Sequence, residues 1–280
     1  MPTLKELFSG LRPRRYGRKP HLVLLNGLAE QHESWFRNAK HWARYFEVHK
    51  PNILAYEGDA FHKRINDGLP ISVDYLVEQL KLYLDQFVQN PPYHLVSSSL
   101  GGKVAVEFAV RYPELVGRVV LICPSGMGDV EQLPIMEGVR HNDHESLVRS
   151  VFNSTRNLEK GLLKYYRRMF SSKKWKKGFI RTVKGTNDHS VREQLKLLKP
   201  MTLFVSGELD RIVDPKEGAR AAQEIPKGQY IEIPNCGHAP QIEKSAYINR
   251  LVIHFLTHPR PNCKQTMLQL LIKKPSRVHS

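Results

Sequence analysis

The sequence is short of cysteine: Cys123, Cys236 and Cys263 are the only thiols in 280 residues. An odd count at wide spacing excludes the disulfide framework of small extracellular domains and suits a reducing compartment. The lack of any Cys-x-x-Cys pair argues against cysteine-ligated metal. Long apolar runs are missing too. No stretch approaches the roughly 18 apolar residues of a membrane-spanning helix, and residues 1–20 hold no continuous apolar segment of the kind that opens a secretory signal. A cytoplasmic protein is therefore expected. Acid is scarce relative to base: 27 Asp and Glu stand against 43 Lys and Arg, for a formal net charge of +16. Such a surplus bears on partners and solubility rather than on fold, and suits an anionic substrate or a peripheral contact with an anionic membrane surface. Nucleic acid is not expected as a partner, because neither zinc-finger spacing nor an RNA-binding aromatic signature accompanies the charge. Proline and glycine, 18 each, are near average and 41% of residues are hydrophobic, which excludes a disordered chain and supplies a sizeable core.

Short apolar runs bounded by turn residues alternate with helical patterns. His21–Gly27, Tyr45–Tyr56, Tyr93–Ser98, Gly117–Ser125, Met201–Glu208 and Gln229–Asn235 read as extended segments suited to buried parallel strands. Between them, Val73–Phe87 carries apolar residues at 73, 76, 77, 80, 84 and 87, Gly102–Val110 is rich in Ala and Val, and Ala246–Leu256 is the last helix. Asp214-Pro215 opens another helix, with Asp as N-cap and Pro in the first turn. This alternation predicts an α/β chain with a doubly wound, mostly parallel sheet. From about 128 to 198 the patterns are helical only, so that block is expected to be a cap inserted between two strands. The expected organisation is a basic lead at 1–20, a core at 21–127 and 199–258, the cap at 128–198, and a basic extension at 259–280.

Three consecutive serines lie in "HLVSSSLGGK", at the junction of a predicted strand and helix. A nucleophile held on a sharp strand-to-helix turn needs small residues two before and two after it, because strand and helix backbones approach closely there. Ser97 would place Leu95 in that position, and Ser98 would place Val96 and Leu100. Only Ser99, flanked by Ser97 and Gly101, fits. The pattern alone is weak, since ordinary turns are rich in Ser and Gly. Its partners must follow in the order acid, then histidine. "NCGHAP" puts His238 at the end of the last predicted strand, and "SGELDRIVDP" puts Asp210 just past the strand before it. Asp214 reads better as a helix cap, Glu208 adjoins the strand, and Asp129 is the alternative acid. Ser99, Asp210 and His238 would all lie at carboxyl ends of strands, where sites form in open α/β sheets.

On these residues the chain resembles the α/β-hydrolase superfamily over roughly residues 21–257. Asn26-Gly27 and Trp35 stand at the spacing of the family's His-Gly and downstream Trp, and "GELDRIVDP" and "GHAPQIEKSAYINRLVIHFL" resemble its acid and histidine segments. Asn26 replaces the usual His and Ser97 the usual Gly, and the residues before His21 are few for the family's opening β-hairpin.

The resemblance implies a serine hydrolase that cleaves a carboxylic ester through an acyl-enzyme on Ser99. Backbone N–H groups of Leu100 and Leu28 would form the oxyanion hole, and Asn26, Gly27, Ser98 and Trp35 would line the substrate site. No cofactor and no metal are expected. A thioesterase or a carbon–carbon bond hydrolase would use the same triad. A non-catalytic ligand- or surface-binding protein on the same fold is the alternative from another class.

Lys164–Lys184 holds nine Lys or Arg and no acid, interleaved with Tyr165, Tyr166, Phe170, Trp175 and Phe179. It reads either as a solvated face whose aromatics pack on the core, or as a basic rim at the site mouth. "HNDHE" (141–145) is too weak a pattern to assign a metal.

Overall fold

The computed structural model describes residues 19–30, 32–54, 56, 58–128, 150–153 and 160–266. Six strands form one parallel sheet in the order β2-β1-β3-β4-β5-β6. They are β1 (His21–Leu25), β2 (Glu47–His49), β3 (Tyr93–Ser98), β4 (Val116–Ile122), β5 (Met201–Gly207) and β6 (Gly228–Ile233). The helices, in chain order, are α1 (Ala39–Trp42), α2 (Asp59–Asn66), α3 (Val73–Phe87), α4 (Leu100–Arg111), α5 (Lys160–Ser171), α6 (Lys173–Thr186), α7 (Pro215–Gln223), α8 (Pro240–Glu243) and α9 (Ser245–Thr257).

The four inner strands β1, β3, β4 and β5 are largely apolar and buried because both faces of the sheet are covered there, whereas the edge strands β2 and β6 carry exposed polar residues. Alternate residues serve alternate faces. Val23, Leu25, Leu95, Val119, Leu121 and Phe204 pack with α3, α4 and α7. Leu22, Leu24, Val96, Val120, Leu203 and Val205 pack with α1 and α9 through Trp42, Ile248, Leu251 and Phe255.

Local sequence explains several boundaries. Ser72 caps α3, its hydroxyl accepting the Tyr75 N–H at 3.2 Å, and Val73, Leu76, Val77, Leu80 and Leu84 are buried. Phe87, assigned by periodicity to the same stripe, is instead 64% exposed at the helix end. Asp214 caps α7, accepting the Lys216 N–H at 2.9 Å, with Pro215 following as expected. The long extended segment expected at Tyr45–Tyr56 is not formed. Only Glu47–His49 pairs with β1, and the chain then turns at Pro51–Leu54, where proline removes a ladder donor.

Among the described residues between β4 and β5 there is no strand, and α5 and α6 lie there. Trp175 and Phe179 are fully buried and stacked, 5.2 Å between centroids, and Tyr56 meets Trp175 at 5.3 Å. The basic residues Lys164, Arg167, Arg168, Lys174, Lys177, Arg181 and Lys184 are exposed. Phe170, Trp175 and Phe179 thus pack inward while these charges face water. α6 is seated closely: a Cβ at Gly185 would lie 2.2 Å from the Ile71 carbonyl oxygen, and one at Gly178 2.7 Å from that of Tyr56. Lys103 of α4, 1% exposed, donates to the carbonyls of Thr186 (2.9 Å) and Asn187 (3.2 Å) at the end of α6.

The β3–α4 junction is tight enough to test. A Cβ on Gly101 would stand 2.5 Å from the Leu25 carbonyl oxygen and 2.8 Å from that of Asn26. Backbone cannot yield as a flexible side chain does, so Gly101→Ala is expected to cost about 1–3 kcal/mol or more. A urea-denaturation midpoint unchanged from wild type would refute this packing.

Candidate active site

The sheet order reverses direction between β1 and β3, and the loops following these two strands meet at their carboxyl ends. Ser99 sits between β3 and α4 at φ 50, ψ −119. A non-glycine residue at positive φ is strained, and strain of this kind persists only where surrounding bonds hold it. Here the Ser99 N–H donates to the Ile122 carbonyl (3.1 Å), and its own carbonyl accepts the N–H groups of Gly102 (2.8 Å) and Ser125 (3.1 Å). Ser97 fits the small-residue position because its buried hydroxyl donates to the Val120 carbonyl at 3.2 Å. Ser98, expected to line the substrate site, is instead fully buried, and its hydroxyl accepts the Gln241 amide at 3.1 Å. Of the three serines, only Ser99 is partly exposed and strained.

Asp210 and His238 come together. Asp210 Oδ2 lies 2.8 Å from His238 Nδ1, with the two side chains 2% and 6% exposed. Asp210 Oδ1 accepts the N–H groups of Ile212 (2.9 Å) and Val213 (3.1 Å). Burial alone would raise its pKa. The attraction and hydrogen bond of His238, with the two N–H groups, outweigh burial and hold the carboxyl below its ordinary range. The histidine loop is fixed from beneath: the His238 N–H donates to the Val151 carbonyl (2.8 Å), and Glu243 accepts the N–H groups of Gly237 (2.8 Å) and Asn153 (3.1 Å). Asp129, the alternative acid, and the 141–145 pattern lie outside the described residues.

The loop after β1 folds over Ser99. A Cβ at Gly27 would stand 2.9 Å from the Ser99 Cβ. Asn26 is buried, and its amide donates to the carbonyls of Gly27 (3.3 Å) and Glu30 (3.0 Å), closing the loop on itself. Trp35, expected beside the substrate, is instead 1% exposed and packs on Trp42, 5.9 Å between centroids, within the apolar layer beneath the sheet. The spacing to Asn26 that suggested Trp35 reflects core packing.

Sequence reasoning missed Glu30, Gln241, Glu243 and Cys123. Glu30 and Gln241 are buried and Glu243 is half-buried, each placed by tertiary contacts that no local spacing signals. Cys123 stands at φ 43 after β4, its thiol pushed up in pKa by burial.

Among the described residues, two donor groups have ligand atoms within 4.8 Å of one another: Cys123, Asp210 and His238 in the site, and His21, Glu47 and His49 on the β1–β2 edge. In the first, His238 and Asp210 are bonded to each other. In the second, His21 Nδ1 and His49 Nε2 are 3.0 Å apart, a hydrogen-bond distance.

A parallel sheet with a strained serine after its third strand and an Asp–His pair after its fifth and sixth defines a class. The chain belongs to the alpha/beta hydrolase fold family, whose model matches residues 20–245. Among curated proteins, it is 24% identical over 266 residues to monoacylglycerol lipase ABHD6 of Homo sapiens, covering 86% of this chain and 77% of that one. It is 29% identical over 177 residues to the 2-hydroxy-6-oxo-6-phenylhexa-2,4-dienoate hydrolase of Comamonas testosteroni, covering 58% of this chain and 62% of that one. Among solved structures, the meta-cleavage product hydrolase CumD of Pseudomonas fluorescens IP01 superposes with a TM-score of 0.74 at 20% identity, covering 87% of this chain and 92% of that one.

Proposed function

We propose that the protein is a serine hydrolase that cleaves a carboxylic ester through an acyl-enzyme on Ser99. The observation that carries this is the 2.8 Å bond between Asp210 and His238 Nδ1. It favours the tautomer whose Nε2 bears the lone pair, the form a general base needs. His238 takes the Ser99 proton as the hydroxyl oxygen attacks the substrate carbonyl. Asp210 then stabilises the imidazolium, which returns the proton to the departing alcohol. The N–H groups of Leu100 and Leu28 receive the oxyanion. Leu100 opens α4, where the helix N-terminus also favours negative charge. Water, activated by the same histidine, releases the acid. The exposed Lys and Arg of α5 and α6 suit anionic substrates or an anionic surface supplying them.

The likeness to monoacylglycerol lipase supports an acyl ester, and the likeness to the dienoate hydrolase supports carbon–carbon cleavage as the second reading. A panel of p-nitrophenyl esters, monoacylglycerols, acyl thioesters and 2-hydroxy-6-oxo-dienoates separates them. The esters are expected to have the highest kcat/KM. Preference for the dienoates would replace the ester reading, and folded protein inert toward all four would remove both.

A further inference from the structure

The loop that follows β1 is nearly saturated with hydrogen bonds. The Gly27 N–H donates to Glu30 Oε2 at 2.9 Å, the Ala29 N–H to the Tyr56 hydroxyl at 3.3 Å, and the Glu30 N–H to the Gly27 carbonyl at 3.3 Å. Among the described residues, the Leu28 N–H has no acceptor. It belongs to the turn that passes over Ser99, where a Cβ on Gly27 would touch the Ser99 Cβ at 2.9 Å and the Glu30 carboxyl carbon at 3.5 Å.

The group that closes this loop is an unusual one to bury. Glu30 is 7% exposed, and no Lys or Arg among the described residues pairs with it. Its carboxyl is held by the Gly27 N–H and, at 3.4 Å, by the Ser34 hydroxyl. The titratable groups that face it are His238 and Tyr56. Glu30 thus holds Gly27 at both ends: its carboxyl takes the Gly27 N–H, and its own N–H donates to the Gly27 carbonyl, which shares one planar peptide with the Leu28 N–H.

We propose that Glu30 is a positioning residue: its carboxyl fixes the Gly27 N–H, and so aims the Leu28 N–H at the space above Ser99 where an oxyanion would form. This rests on the ester-hydrolase reading. It adds a side chain that sets the geometry of a backbone donor without touching the substrate. Donors are effective when they are preorganised toward the transition state, so loss of the brace acts on turnover more than on binding.

The test compares wild type, Glu30→Ala and Glu30→Gln in the full chain, with hydrogen exchange at the Gly27 amide and ester kinetics as readouts. The glutamine oxygen still accepts from Gly27, whereas alanine removes the acceptor. Gly27 is expected to exchange slowly in wild type and Glu30→Gln, and at least about tenfold faster in Glu30→Ala, as loss of one protecting bond allows. Glu30→Ala is expected to lower kcat about 10–100-fold with KM nearly unchanged, and Glu30→Gln to recover most of the loss.

Unchanged exchange in Glu30→Ala would overturn the brace. Faster exchange with unchanged kcat, or a rise in KM alone, would overturn its catalytic purpose. Should Glu30→Ala fail to fold, Glu30→Asp, which draws the carboxyl back by one methylene, is expected to show the same kcat loss, and undiminished kcat there would count against the proposal. Wild type that neither hydrolyses an ester nor reacts with a fluorophosphonate at Ser99 would remove the hydrolase reading, while the exchange result would still decide whether Glu30 holds the loop.

Discussion

Ser99→Ala is expected to abolish ester turnover, with kcat falling about 10⁴–10⁶-fold, while the protein stays folded. Loss of the nucleophile in a triad costs up to about 10⁶, with a residue of about 10³–10⁴ over water from binding and the oxyanion hole. Ser98→Ala is the matched control. Its hydroxyl is buried and accepts from Gln241, so its removal leaves that amide short of one partner and is expected to cost stability of about 1 kcal/mol with little loss of turnover. Labelling by a fluorophosphonate checks both at once: wild type and Ser98→Ala should react, and Ser99→Ala should not. Labelling that survives in Ser99→Ala would move the nucleophile elsewhere.

Asp210→Asn is expected to lower kcat about 10⁴-fold, because an amide at this position favours the wrong imidazole tautomer and cannot stabilise the cation. The same residue contributes to acid stability. Its folded pKa is depressed, so the unfolded chain binds a proton more readily than the folded one as pH falls. Its contribution is therefore present above the ordinary carboxylate range and is lost as pH falls through the lowered folded value. Urea melts across mildly to strongly acidic pH should show a steeper loss of stability in wild type than in Asp210→Asn. Parallel curves, or an asparagine variant with wild-type turnover, would exclude Asp210 as the histidine's partner.

Much of this arrangement is visible in the order of residues, for a physical reason. Strands buried on both faces must be apolar and short, so β1, β3, β4 and β5 stand out. The elbow around Ser99 requires small neighbours, and those are read directly. β2 is the counterexample: Tyr45–Tyr56 looks extended because it is rich in β-formers, but only three of its residues pair with β1. α2 was not anticipated, since its buried residues are Phe61, His62 and Ile65 and a histidine does not register as apolar. In the site, Asp210 and His238 follow from their place after strands. Glu30, Gln241 and Glu243 do not, because their meaning lies in which backbone amide or side chain they reach, and that is set by tertiary contact. Trp35 shows the converse, a residue whose spacing suggested the site and whose surroundings are those of the core.

The seating of α6 bears on how such enzymes can be recombined. Gly178 and Gly185 let the helix rest directly on the carbonyls of Tyr56 and Ile71, and Lys103 reaches from α4, the helix that follows Ser99, to the last turn of α6. The seam between α6 and the elements it rests on is thus written on both sides, in residues far apart along the chain. Exchanging residues 128–198 for the equivalent stretch of a relative would keep this seam only if the new helix carried small residues at the positions of Gly178 and Gly185 and ended where Lys103 reaches its carbonyls. A chimera that folds would need to carry Lys103 and the Tyr56 and Ile71 turns along with the transplanted segment.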